Sequence, residues 1–525
     1  MKIDRSLIAG AILALLLTAG CNPPEKPLTR PNILFCIADD QSYPHAGAYG
    51  CDWVNTPSFD EIANRGILFT RAYTPMAKCA PSRSCIVTGR NTWQLEEAAN
   101  HVCFFPAKFK TYAEVLAENG YFTGHTVKGW GPGVALDENG QKRDMVGPSY
   151  NEVKTDPPTG FISKVDYAAS FGKFLDAVPA GKPFCFWAGS IEPHRAYEYR
   201  SGVTKGHKRL TDIDVVPAYW PDCDTVRNDM LDYAFEVEYW DSHVGRMVRM
   251  LEERGLLENT LVVATSDHGM PFPRVKGMPN QIANRVPLAM MWPEGIGKPG
   301  SVVEDFVSFT DFAPTFLEMA GISLEESGMH EMEGESLIPI MKGQPGASGR
   351  EIMVFGKERT DVGRPDDAGY PARGISDGEY VFIWNVHPER WPANNPETGY
   401  TDTDASPTKS YILNLRRREG KSWYWDENFG KRPAEELYHI TEDPYQVRNL
   451  ADVPEYEGIK DSLRTRLFEE LESEGDPRMF GKGEEFDAYP YAEEKYRDYY
   501  NRFMAGEDVR AGWINPNDFE TEKLE

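Results

Sequence analysis

Asn32-Ile33-Leu34-Phe35-Cys36-Ile37-Ala38-Asp39-Asp40 is a short, almost unbroken apolar run of strand length that ends on two carboxylates. An apolar run without alternation is the pattern of a strand buried on both faces, and such a strand belongs to a sheet covered by helices on both sides. Two more segments repeat the design. Thr260-Leu261-Val262-Val263-Ala264-Thr265-Ser266 runs into Asp267-His268-Gly269, and Phe184-Cys185-Phe186-Trp187-Ala188 leads to Glu192-Pro193-His194. Strands that each deliver polar groups from their carboxyl ends are what an open α/β sheet needs when its site lies outside those ends.

Helical segments fall between the strands. Ser58–Arg65 stops at Gly66, Tyr112–Asn119 closes on Gly120, and Asp229–Arg254 carries apolar residues at helical spacing up to Gly255. The alternation predicts an α/β fold built on a large, mostly parallel sheet flanked by helices. The texture changes near residue 345. Asp377-Gly378 precedes the aromatic and β-branched run Glu379–Trp384, and Lys460–Gly475 reads as an amphipathic helix. We therefore expect a catalytic domain over 31–345 and a smaller C-terminal α+β unit with an antiparallel sheet over 346–525, its last forty or so residues wrapping the surface.

At 525 residues with 41% hydrophobic and 12% aromatic side chains, the chain can bury a sizeable core. Its formal charge of −26 argues against a general nucleic-acid or anionic-membrane surface. It does not exclude an anionic ligand, because a few converging cations dominate within about one Debye length, roughly 8 Å at physiological salt. Lys2 and Arg5 precede the apolar run Leu7–Ala19, too short for a permanent span, which predicts a signal peptide over 1–20. Leu17–Cys21 resembles a bacterial lipoprotein cleavage box. That resemblance implies a lipid anchor on Cys21, a Pro-rich tether over 21–30, and an exported protein at the periplasm or cell surface. The eight cysteines include no CxxC metal pattern, and spacing alone assigns no disulfide.

Lys78-Cys79-Ala80-Pro81-Ser82-Arg83-Ser84-Cys85-Ile86-Val87-Thr88-Gly89 carries the chemistry. Read locally, Pro81 at a first helical position and Gly89 past the last turn put residue 79 at a helix N-terminus, which favours an anion. The segment resembles the C-x-P-S-R…T-G signature of the formylglycine-dependent sulfatases, of the alkaline phosphatase superfamily. The resemblance implies that Cys79 is converted to formylglycine by a formylglycine-generating enzyme and that its hydrate is the nucleophile. It extends over roughly residues 31–345. Asp39, Asp40, Asp267 and His268, with Cys79, match the family's metal ligands and imply one calcium ion, with His268 standing where many members have Asn. Lys128 and Lys276 match lysines that clamp sulfate, Arg83 would hold the hydrate, and His194 matches a P-H motif and would be the general acid. Arg195 would grip a substrate carboxylate or a second sulfate. Trp130 replaces the histidine expected two residues after Lys128, so His101 or His125 would take over its contact.

Asp267–Pro273 and Pro371–Ile375 are similar to the branch containing the N-sulfoglucosamine sulfohydrolases. Together with export, this leads us to expect a sulfatase acting on a sulfated carbohydrate, with a heparan-type N-sulfate as the alternative. A phosphonate or phosphate monoester hydrolase, or a non-catalytic glycan-binding lipoprotein, would be the rivals. With ten histidines in the chain we can assemble no second metal site of the two-zinc phosphatase kind.

Overall fold

In the computed structural model, described for residues 30–344, 347, 349–420 and 422–524, the quoted strand is β1, Asn32–Ala38, buried along its whole length. Ile33, Phe35 and Ile37 point into one hydrophobic core, while Leu34, Cys36 and Ala38 point into another on the opposite face. This is the two-sided burial expected from the missing alternation.

The large sheet contains β2 (Ile67–Tyr73), β3 (Phe122–Val127), β4 (Phe184–Gly189), β5 (Thr260–Ser266), β6 (Arg285–Met291), β7 (Ser301–Val303) and β8 (Val307–Ser308). Its spatial order is β8-β2-β6-β5-β1-β4-β3, with β7 also on β2. β1 pairs in parallel with β4 and β5, and β3 with β4. Only β6 runs antiparallel, to β2 and β5. The fold is the mixed α/β architecture expected from the sequence.

Helices α1 (Pro57–Arg65), α4 (Tyr167–Ala177) and α5 (Asp224–Glu253) cover one face through Phe59, Phe171, Phe174 and Met247. Helices α2 (Cys79–Thr88), α3 (Tyr112–Glu118) and α6 (Phe312–Ala320) cover the other through Ile86, Leu116 and Phe316. α5 begins at Asp224, five residues before the apolar spacing signals it, because its first turn is largely polar.

A separate antiparallel sheet joins β9 (Met353–Lys357), β10 (Ala372–Ser376), β11 (Tyr380–Asn385) and β12 (Glu435–His439) in sequence order. Helix α7 (Pro407–Glu419) lies between β11 and β12 in the chain, and α8 (Glu457–Ser473) packs Leu463, Leu467 and Leu471 on Ile375, Phe382 and Leu437. Near the C-terminus Tyr491, Tyr499 and Val509 form a small core with Val102 and Val362. The signal peptide, Cys21 and the tether up to residue 29 lie outside the described residues. All seven described cysteines are free thiols, and no described helix is long and apolar enough to cross a membrane.

Candidate active site

The loops after three neighbouring parallel strands converge. Asp39 follows β1 and donates its backbone N–H to the Glu192 carbonyl beyond β4. Asp40 donates its N–H to the Asp267 carboxylate beyond β5 at 3.0 Å, and Asp267 returns an N–H to Ala38. Asp40 holds φ = 74°, a left-handed conformation uncommon outside glycine, and its carboxylate faces Cys79 and His268.

Cys79 is the first residue of α2, which makes Pro81 the third helical residue rather than the first. The ring is accommodated because none of the first four helical N–H groups has a partner inside the helix, so Pro costs no bond there. Gly89 closes the helix at φ = 72°. The thiol is buried, 3.4 Å from His268 Nε2 and 3.9 Å from Asp40 Oδ1. Burial by itself pushes this thiol up, but Lys128, Lys276, His268 and His101 hold it well below the ordinary thiol range. The surroundings of residue 79 thus favour negative charge.

The cations are tied to the carboxylates. Lys128 Nζ donates to both oxygens of Asp39 at 2.6 Å, and Lys276 Nζ to Asp40 at 2.6 Å and Asp404 at 3.0 Å. Arg83, fully buried, donates to Asp267 and Asp39 and also to the backbone carbonyls of Lys128 and Gly129. The Lys128 carbonyl further accepts from Trp187 Nε1 and presses so close to Gly189 that a Cβ there would stand 1.9 Å from its oxygen. Gly189 is therefore what lets the Lys128 backbone pack across the end of β4.

A cation would find its donors in two overlapping groups, Asp40, Cys79, Asp267 and His268, and Asp39, Asp40 and His194, each with ligand atoms within 4.8 Å of one another. His268 Nδ1–H donates to the Gly269 carbonyl at 2.9 Å, leaving Nε2 as the donor atom toward Asp40 and residue 79. Against the cost of burial, Asp267 and Asp40 hold the His268 imidazole up at about 9. Three buried carboxylates with one imidazole fit a hard divalent cation.

His194 is partly exposed, with Nε2 3.8 Å from Asp40 and Nδ1–H donating to the Arg195 carbonyl at 2.6 Å. The guanidinium of Arg195 is committed to a two-bond pair with Asp229 and to the Pro271 carbonyl, so it has little left for a ligand. Of the two histidines considered in place of Trp130, His101 is the one beside Cys79. It is buried, with its Nδ1 3.5 Å from the Asp361 carboxylate and its ring beside the Cys79 thiol, which it helps to hold down. His125 instead meets the Gly147 carbonyl at 2.8 Å on the wall of the adjoining cleft. Trp130 Nε1 donates to Ser84 Oγ at 2.8 Å.

Sequence reasoning missed the rear of the site. Lys78 Nζ lies 2.8 Å from Asp361 and 3.2 Å from Asp402, and Asp402 also binds Lys357 and Thr360. Asp404 closes on Lys276. Thr401-Asp402-Thr403-Asp404 follows no apolar strand, and Asp402 is 324 positions from Lys78, so no local pattern pointed to it.

The sulfatase family model matches residues 31–322. An ulvan-active sulfatase of Formosa agariphila is 29% identical over 461 residues, covering 85% of this chain and 81% of its own. The human N-sulphoglucosamine sulphohydrolase is 28% identical over 498 residues, 87% of this chain and 92% of its own. A solved structure in complex with its substrate D-glucosamine-2-N,6-O-disulfate superposes with a TM-score of 0.60 at 19% identity, covering 85% of this chain and 98% of that one. A phosphonate monoester hydrolase of Agrobacterium radiobacter gives a TM-score of 0.57 at 17% identity, covering 85% and 97%. Both superpositions establish a shared fold. As the family match spans more than half of the chain and runs from the first strand through the converging loops, the protein belongs to the sulfatase family and is a sulfuric ester hydrolase.

Proposed function

We propose that this sulfatase removes sulfate from a carbohydrate, using residue 79 as nucleophile after conversion of Cys79 to formylglycine, with one calcium ion held by Asp39, Asp40, Asp267 and His268. The observation that carries the reading is the setting of Cys79. It occupies the first turn of α2, where two lysines and two histidines stabilise negative charge beside a buried carboxylate cluster.

An aldehyde hydrate supplies one hydroxyl to attack sulfur and a second whose collapse to the carbonyl expels sulfate, whereas a thiolate would be left as an S-sulfonate. Calcium, when bound, favours the ionised hydroxyl and offsets charge on the sulfate oxygens. The protein's own groups do the rest. Lys128 and Lys276 stand where sulfate oxygens accumulate charge. Arg83 holds Asp39 and Asp267 in place, and His101, backed by Asp361, sits beside residue 79. His194, whose Nδ1–H is committed to the Arg195 carbonyl, gives a proton from Nε2 to the departing sugar oxygen.

Similarity to the ulvan-active and glucosamine-acting relatives supports a sulfated polysaccharide or its oligosaccharides as substrate. An N-sulfate is the second reading, favoured by the coverage shared with the human sulphohydrolase. On this reading the chain is exported and anchored through Cys21. The test is a panel of sulfated oligosaccharides, read by mass, with enzyme co-produced with a formylglycine-generating enzyme. Peptide spectra of the same material report residue 79. Full activity with an unmodified thiol would overturn the nucleophile, and a heparin-derived N-sulfate as sole hit would overturn the O-sulfate.

A further inference from the structure

A cleft of about 870 Å³ opens directly from the candidate site, sharing Asp39, Lys128 and His194 with it. That is near the upper end of the roughly 300–1,000 Å³ typical of ligand pockets, and it exceeds what a sulfate group alone requires. Part of its lining is apolar. Phe161 is 57% exposed and Leu136 38% exposed on its rim, with Val134 and Trp130 on the wall. Trp130 is held in orientation, its indole N–H on Ser84 of the Cys79 helix and its ring edge-on to Phe105 at 5.2 Å.

Two of the charges on this wall are spent. Arg143 is paired with Glu114 and Arg195 with Asp229, while Lys142 and Asp144, of opposite sign, are both exposed. Both arginines of the lining are thus committed to carboxylates, whereas Phe161, Leu136, Val134 and Trp130 present aromatic and aliphatic surface in the same cleft as Asp39, Lys128 and His194. Large apolar side chains held open to solvent beside a reaction centre mark a surface meant to be covered.

Resting on the sulfatase reading above, we infer that this cleft is the subsite for the sugar chain on the leaving-group side, which packs the C–H face of a pyranose ring on Phe161 and Trp130. The substrate class is then an oligosaccharide of at least two rings, gripped at one end through its sulfate and at the other through apolar contact. A small sulfate ester reaches only the first of these.

The experiment compares steady-state kinetics of wild type, Phe161→Ala and Phe161→Tyr on 4-nitrophenyl sulfate and on the ulvan, carrageenan or heparin oligosaccharide that wild type hydrolyses fastest. Phe161 is exposed, so replacing it should leave folding intact. The expected result is a rise of about tenfold in KM for the oligosaccharide with Phe161→Ala, equivalent to about 1.4 kcal/mol, restored by Phe161→Tyr and nearly unchanged between low and high salt. An oligosaccharide KM within about twofold of wild type, or an equal loss on both substrates, overturns the subsite while leaving the sulfatase reading intact. Wild-type enzyme with modified residue 79 that turns over neither substrate overturns both.

Discussion

Lys128 Nζ sits 2.6 Å from each carboxylate oxygen of Asp39, while the backbone carbonyl of the same lysine receives a guanidinium N–H from Arg83. Arg83 in turn bonds Asp39 and Asp267. Arg83 thus ties the end of β3 to the carboxylates that follow β1 and β5. The Lys128 ammonium rests on a group proposed to bind metal, close to where sulfate would lie.

If Lys128 and Lys276 stabilise charge that develops on sulfate, Lys128→Ala and Lys276→Ala should each lower kcat/KM by about 10²–10³-fold. Removing either lysine also takes one cation away from a buried carboxylate, so the bound calcium should be measured in the same preparations. Loss of activity with full calcium content assigns the effect to the transition state. Activity retained within a few-fold would refute the role.

Stripping the divalent cation should cost stability as well as activity, because Asp39, Asp40 and Asp267 lie buried together. Cation at about a hundred times its Kd stabilises the folded state by about 2.7 kcal/mol. A chelator should lower Tm for wild type, calcium should restore it, and Asp267→Asn should show a much smaller shift. A Tm unaffected by chelation would argue against the site.

Arg83→Ala should destabilise by about 3–5 kcal/mol, since it leaves Asp39 and Asp267 buried without their common partner. Arg83→Lys should rescue little, because a single ammonium cannot reach two carboxylates and two carbonyls together. Denaturant unfolding decides it. A loss below about 1 kcal/mol would show the network to be dispensable.

Gly189→Ala places a methyl group 1.9 Å from the Lys128 carbonyl oxygen, an overlap only a backbone shift can relieve. The expected cost is about 1–3 kcal/mol of stability and at least about a tenfold loss of kcat/KM. Gly458→Ala, where the added atom meets nothing within 4 Å, is the control.

His243 carries a pH dependence remote from the site. Its Nδ1 accepts from the Ala168 N–H and from Arg246, and burial followed by the Arg246 charge lowers its pKa to about 4, against the opposing pull of Asp166. Between the unfolded value of about 6.5 and the folded one, the unfolded chain takes a proton that the folded chain refuses. Stability should therefore fall as pH drops from about 6.5 toward 4, by an amount of the order of 3 kcal/mol. Urea titrations across that range should show a shallower fall for His243→Gln.

The apolar runs at β1, β4 and β5 and the polar residues after them were legible because a doubly buried strand has a local signature and the site lies at its end. The place of Cys79 at a helix start was legible too, to within the two residues by which Pro81 misled. Tertiary structure alone decided that His101 rather than His125 faces residue 79, that Arg195 is consumed by Asp229, and that Asp361, Asp402 and Asp404 back the site. Periodicity and turn chemistry report what a residue does among its near neighbours, whereas a buried charge takes its partner from whatever distant segment the fold packs against it.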